Sequence, residues 1–275
     1  MVTKAIVLVA GWGTRRLPIT KTIEKCMLPV GNRPLVDYVV QDCLKAGITD
    51  IIFVVSEQSE QIRDYYRSNI DLNDYLRRNG KADMLELVRP IKANLHFVVQ
   101  PSYGKYGTAV AVALGAGYVN RGESAIVVGG DDFIDNSDGS SEIARLIMQT
   151  PEGASGVIGV TVPEADTIIQ RYGHIETNEH SELVRIVEHP SPEPAHFVKN
   201  VSKYLLSYEM LEAVKAYVMT DKESGEYGIF DPFEAVIARG AIMKVVPAAG
   251  RYLDGGTVEG WLRANQVVIT EGLKK

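Results

Sequence analysis

The first third of the chain alternates apolar runs that lack polar spacing with stretches of helical spacing. Lys4 to Val9 (KAIVLV) and Asp50 to Val55 (DIIFVV) are β-branched runs, the pattern of strands buried on both faces of a parallel sheet. Between them, Leu35 to Leu44 carries apolar residues at helical spacing and stops at Ala46-Gly47, as a glycine-terminated helix does. Strand, helix and strand in succession predict a right-handed βαβ unit with parallel strands. The pattern continues with a helix over Gln58 to Tyr66 and two short helices over Leu72 to Val88, broken at Asn79-Gly80. A strand over His96 to Gln100, an alanine-rich helix over Thr108 to Tyr118 and a strand over Ser124 to Val128 follow. The second half predicts strands over Gly156 to Val162, Gly173 to Ile175 and Leu183 to Glu188, and a helix over Tyr204 to Val218. A short helix over Phe233 to Ala238 and a late strand over Ile242 to Pro247 complete the pattern. The implied fold class is α/β: a Rossmann-like mixed, mainly parallel sheet flanked by helices. No internal repeat or low-complexity linker divides it, so one domain over residues 1–275 is expected.

Composition narrows the chemistry. The 275 residues carry a net charge of −6, with 45% hydrophobic and 23% charged positions, which fits a soluble globular protein and argues against a general nucleic-acid binder. An anionic ligand must then be met by a local basic site. The two cysteines, Cys26 and Cys43, have neither the number nor the spacing of a disulfide framework or zinc site, so a reducing cytoplasm is expected. No run reaches the roughly 18 apolar residues of a membrane span, and no signal-peptide pattern precedes the first strand.

The densest basic segment follows that strand directly: Val9 to Pro34 reads VAGWGTRRLPITKTIEKCMLPVGNRP. Gly11 and Gly13 remove Cβ where backbone amides can approach phosphate oxygens, and Arg15, Arg16, Lys21 and Lys25 add positive charge. A dinucleotide fingerprint would need a small residue where Arg16 stands, and a Walker loop would need Gly-Lys-Ser/Thr, so both are excluded. Two acidic turns lie further on: Ala125 to Asp132 (AIVVGGDD) is an apolar strand ending in carboxylates, and Tyr252 to Thr257 reads YLDGGT. Single carboxylates of this kind, joined by phosphate oxygens, suit a hard cation such as Mg²⁺. Gln100 ends a strand just before Gly107 opens a helix, and its amide offers the donor and acceptor that match the edge of uracil or thymine.

The run G-x-G-T-R-x-x-P-x-T-K-x-x-x-K-x-M-L-P-V-x-x-x-P resembles the signature of the sugar-phosphate nucleotidylyltransferases, in wording most like their uridylyl-transferring members. The resemblance implies a nucleotide-diphospho-sugar transferase fold of GT-A type, with residues 1–150 holding the nucleotide and 151–275 the sugar phosphate. It implies that Ala10, Gly11, Gly13, Thr14, Arg15, Gln100 and Gly107 bind the nucleotide. Arg15, Lys25 and Asp131 are implied to be catalytic, and Asp131 and Asp254 to hold Mg²⁺. Gly173, Glu188, His189 and Asn200 fall on the sugar-phosphate elements. The implied substrates are UTP, with dTTP as the alternative, and glucose 1-phosphate; the implied assembly is a homo-oligomer, dimer or tetramer.

Three departures stand out. Glu24-Lys25-Cys26 replaces a Pro-Lys-Glu and keeps the lysine; the turn Gly225 to Asp231 is altered; and His189 stands where the resemblance expects a lysine on the sugar phosphate. Imidazole is only partly charged near neutral pH, whereas lysine is a full point charge. The sugar side therefore differs while the nucleotide side is intact, which leaves a catalytically impaired nucleotide-sugar-binding homologue as the alternative from another class.

Overall fold

The computed structural model describes residues 1–162, 173–188, 197–222 and 225–272. In chain order the strands are β1 (Lys4–Leu8), the short hairpin β2 (Pro29–Val30) and β3 (Arg33–Pro34), β4 (Asp50–Ser56), β5 (Asn94–Gln100), β6 (Ala125–Gly129) and β7 (Asp132–Asp135). They continue as β8 (Ser155–Val162), β9 (His174–Thr177), β10 (Leu183–Val187), β11 (Phe197–Leu206), β12 (Met243–Pro247) and β13 (Arg251–Asp254). The helices are α1 (Leu35–Lys45), α2 (Gln61–Tyr66), α3 (Ile70–Arg78), α4 (Thr108–Gly115), α5 (Glu142–Gln149), α6 (Tyr208–Met219), α7 (Phe230–Ile237) and α8 (Val258–Gly272).

Among the described residues, nine strands form one mixed sheet in the order β10-β9-β11-β6-β1-β4-β5, with β8 joined to β11 and β12 to β8. The block β6-β1-β4-β5 is parallel, and β11 runs antiparallel to β6 and β8. Burial on both faces explains why β1 and β4 lack polar alternation. Ala5, Val7, Ile51 and Phe53 pack into the core on one face, while Ile6, Ile52 and Val54 pack into the core on the other. The chain steps outward from β1 to β4 and β5, then returns through β6 on the opposite side of β1. That reversal leaves a crevice at the carboxyl ends of the parallel strands, where ligands of such sheets bind.

One predicted element is corrected. The helix expected over Tyr204 to Val218 starts only at Tyr208; Tyr204, Leu205 and Leu206 instead complete β11, opposite Val127, Ile126 and Ala125. A short apolar run satisfies a buried strand and a buried helix equally. The boundary is set by Ser207, whose side chain accepts from Met210 N at 3.3 Å and caps the helix. β11 thus runs through the centre of the sheet, and it bends between Asn200 and Tyr204, where Ser202 has φ 49°.

Candidate functional site

The loop after β1 folds back on itself. Gly13 has φ 66°, Arg16 N donates to its carbonyl at 2.8 Å, and Thr20 Oγ1 donates to the same carbonyl at 2.8 Å. Further along, Glu24 and Gln61 exchange hydrogen bonds of 2.9 Å, which pins the loop to α2. This arrangement lays the Lys25 side chain over Gly11: a Cβ at Gly11 would stand 3.4 Å from Lys25 Cε.

Lys25 Nζ bonds Asp131 Oδ2 at 2.7 Å, and each side chain is about a quarter exposed. The Asp131 charge holds the Lys25 ammonium above its ordinary pKa, against the cost of burial. Burial is the largest influence on Asp131 and opposes its ionisation, but the Lys25 charge and hydrogen bond, aided by Lys203, outweigh it and leave the carboxyl below its ordinary value.

Both groups line a cavity of about 490 Å³ at the carboxyl edge of the sheet. It touches Leu8, Ser56, Gln100 and Gly129, from the ends of β1, β4, β5 and β6. Ala10, Gly11 and Gly107 also line it, as do Trp12, Tyr106, Ser202 and Glu226. Of the residues predicted for the nucleotide, Gly13, Thr14 and Arg15 lie outside that lining; Arg15 is exposed on a 3₁₀ turn over Thr14–Arg16.

Gly107 has φ 113°, a region that side chains other than hydrogen rarely enter, and a Cβ there would stand 2.4 Å from Tyr227 O. The backbone approaches closely because Tyr227 N donates to Tyr106 O at 2.8 Å and Ala109 N to Tyr227 O at 3.0 Å. The segment around Tyr227 is thereby laid against the opening of α4, and it brings Glu226 to the cavity.

Asp131 and Asp254, 123 positions apart in the numbering, are joined by the antiparallel pair β7 and β13, where Asp254 faces Asp132. Gly255 N then donates to Asp131 O at 2.9 Å. A Cβ on Gly256 would lie 3.2 Å from Asp254 Oδ1 and 3.5 Å from Asp131 Oδ2, so the two carboxylates border the same point. Asp254 accepts from Gly256 N at 2.8 Å and from Thr257 Oγ1 at 2.9 Å. No group of three or more His, Cys, Asp or Glu side chains suited to a metal occurs among the described residues. Two carboxylates completed by substrate phosphates still match the habit of Mg²⁺, which seldom uses an all-protein cage.

Of the residues expected to meet the sugar phosphate, Asn200 and Gly173 come together: Asn200 N donates to Gly173 O at 2.9 Å. Asn200 sits in β11, and its amide donates to Tyr204 OH at 2.8 Å. Glu188 is exposed beyond the end of β10 and adds its charge to the surroundings of Tyr204. None of the three lines the 490 Å³ cavity; Ser202, two residues after Asn200, does. His189 lies outside the described residues.

A model described as nucleotidyl transferase matches residues 4–271. The chain belongs to the nucleotidyl transferase family. It is 32% identical over 281 residues to a putative UTP–glucose-1-phosphate uridylyltransferase of Methanocaldococcus jannaschii, covering 98% of this chain and 94% of the relative. It is 32% identical over 222 residues to the UTP–glucose-1-phosphate uridylyltransferase of Streptococcus pneumoniae, covering 78% and 73%. Among solved structures, one described as UTP-bound UGPase from Acinetobacter baumannii superposes with a TM-score of 0.84 at 25% identity, over all of this chain and 95% of that one.

Two further residues of this family member prove central: Lys203, which no motif marks, and Arg16, which the sequence shows only as one of the loop's charges. Lys203, 2% exposed, forms an ion pair with Asp132, and Tyr252 OH donates to the other carboxylate oxygen at 2.8 Å. Asp132 is therefore engaged in holding the turn after Asp131. Arg16 is 3% exposed and bonds the Asp254 turn, whereas the neighbouring Arg15 carries the family motif. A basic residue next to a signature arginine gives no sign in the sequence that it will be the buried one. No helix among the described residues is long and apolar enough to cross a membrane.

Proposed function

We propose that the protein transfers a uridylyl group from UTP to glucose 1-phosphate, giving UDP-glucose and pyrophosphate. The observation that carries this reading is the Lys25–Asp131 pair in a cavity that Gln100 also lines, with the Asp254 turn fastened beside Asp131. The relatives named for this activity support it.

In this reading Gln100 pairs with the uracil edge, and Gly107 lets the base come close to the start of α4. Ala10, Gly11, Gly13 and Thr14 present backbone amides to the triphosphate, and Arg15 holds the β and γ phosphates that leave as pyrophosphate. The sugar phosphate oxygen attacks the α-phosphorus in line, and Lys25 neutralises charge there; such transfers depend on positioning and charge rather than on a covalent nucleophile. A divalent cation, Mg²⁺, held by Asp131 and Asp254 would supply further charge neutralisation on the phosphates. Gly173, Glu188, Asn200 and His189 receive the sugar phosphate. Residues 1–150 serve the nucleotide and 151–275 the sugar within one domain, which acts in the cytoplasm as a homo-oligomer.

A pyrophosphate-release screen crossing four nucleoside triphosphates with several sugar 1-phosphates tests the reading. UTP with glucose 1-phosphate should give the highest rate. Faster release with dTTP would reassign the base, and tight UDP-glucose binding without pyrophosphate exchange would make the protein a binding homologue.

A further inference from the structure

The 3₁₀ turn Thr14–Arg16 sets two arginines side by side with opposite placements: Arg15 exposed, Arg16 buried. Arg16 Nη1 donates to Gly255 O at 2.7 Å and to Thr257 O at 2.6 Å, carbonyls 239 and 241 residues further along the chain. Its guanidinium lies over the Trp261 ring, 5.0 Å from the centroid, at the start of α8. Nε is buried with no hydrogen-bond partner among the described residues. Burying a charged group with one donor unmatched is costly, so its place in the fold calls for a compensating role.

What Arg16 joins suggests that role. On one side is the nucleotide loop, since Arg16 N is bonded to Gly13 O. On the other is the turn bearing Asp254, whose Gly255 peptide is held twice: its carbonyl by Arg16 and its amide by Asp131 O. Gly255 packs closely against both elements: a Cβ there would stand 2.2 Å from Leu35 Cδ1 and 2.6 Å from Asp131 O, so only glycine fits. Only short, directional links separate the loop from both carboxylates.

We propose that Arg16 is a positioning residue that couples the nucleotide loop to the Asp254 turn, so that nucleotide bound at the loop orders the turn that presents Asp254. The proposal rests on the uridylyl-transfer reading. Arg16 does not line the cavity, so it acts through the turn rather than on the nucleotide.

The test is hydrogen exchange read by mass spectrometry on the full chain, with and without UTP in EDTA, for wild type, Arg16→Met and Arg16→Lys. UTP should slow exchange in wild type both across residues 9–30 and across 251–260. In Arg16→Met the slowing should persist across 9–30 and vanish across 251–260, with Arg16→Lys intermediate because an ammonium can still donate to the carbonyls. With metal restored, kcat of Arg16→Met should fall about 10- to 100-fold at a near-constant KM for UTP, the scale of a misplacement of about 1 Å, with part recovered in Arg16→Lys. A purely structural role would lower the melting temperature without separating the two exchange regions. If Arg16→Met does not fold, Trp261→Leu, which removes the stacking face and leaves Arg16 its carbonyls, should show the same decoupling at smaller size. Retained UTP protection across 251–260 in the variant would overturn the coupling alone. Absence of protection across 9–30 in wild type would overturn the nucleotide reading and the coupling with it.

Discussion

Replacing Gly107 by alanine tests how the cavity is closed beside α4. The new Cβ would meet Tyr227 O at 2.4 Å, Tyr227 N at 2.7 Å and Tyr227 C at 2.9 Å, all backbone atoms that cannot rotate away. The φ of 113° adds strain of about 1–3 kcal/mol. Forcing a methyl group into occupied space adds about 1–3 kcal/mol more. At roughly 2–4 °C per kcal/mol for a chain of this size class, the melting temperature should fall by at least about 4 °C. Relief can come only by moving the Tyr227 segment away from Tyr106, which displaces Glu226 and Tyr106 at the cavity and should raise the KM for UTP. Gly104→Ala is the matched control: φ is 93°, but nothing lies within 4 Å of the new Cβ, so it carries the backbone strain alone. Differential scanning fluorimetry and initial rates at varied UTP make the comparison. If Gly107→Ala melts no lower than Gly104→Ala and keeps the wild-type KM, the reasoning fails.

Lys25→Ala and Asp131→Ala should each lower pyrophosphate release by roughly 10²-fold or more, the scale of losing one preorganised charge, with circular dichroism unchanged. Because the Asp131 pKa is depressed in the fold, the Lys25–Asp131 pair stabilises above the ordinary carboxylate pKa and its contribution is lost as pH falls through the folded value; Lys25, raised, loses its share as pH rises through its own. The stability gap between wild type and Lys25→Met, from urea midpoints, should therefore be widest between the carboxylate and lysine ranges and shrink at acid pH; a gap that is flat with pH contradicts the pairing. Lys203→Met leaves Asp132 buried without its cation and should cost about 3–5 kcal/mol, with Lys203→Met combined with Asp132→Asn costing less than the sum of the two, as chemical denaturation would show. Cys26 and Cys43 are fully buried, and burial raises both thiols, so a disulfide reagent at pH 8 should label neither until the protein unfolds; rapid native labelling would refute that placement.

The parallel half of the sheet was legible because β1, β4 and β6 are unbroken apolar runs, and a strand buried on both faces has no other way to be written. The end of β11 was not: Tyr204 to Leu206 fit a strand or a helix, and only the Ser207 cap and the β6 partner decide between them. The pairing of β7 with β13 had no local signal either, since the two four-residue strands become one ribbon only through contacts between distant parts of the chain. Lys25, Gln100, Gly107 and Asp131 were named through the resemblance of the signature run and its partners, and the fold brings all four to one cavity. Arg16 and Lys203 could not, because their importance comes from what they touch across the fold.

The late position of the Asp254 turn has a consequence for how the protein is made. Strands β1, β4, β5 and β6 can pair, and carry the bend at Asp131 with them, while the rest of the chain is still on the ribosome, yet residues 255 and 257, which receive Arg16, come more than 200 positions later. A closure of that span must follow the ordering of everything between, since the entropy of the intervening chain has to be given up first. The site therefore matures last. If Asp131 and Asp254 hold a divalent cation as proposed, an unfinished chain would present Lys25 and Asp131 without the second carboxylate, and the order of residues would itself keep an incomplete protein from acting on a triphosphate.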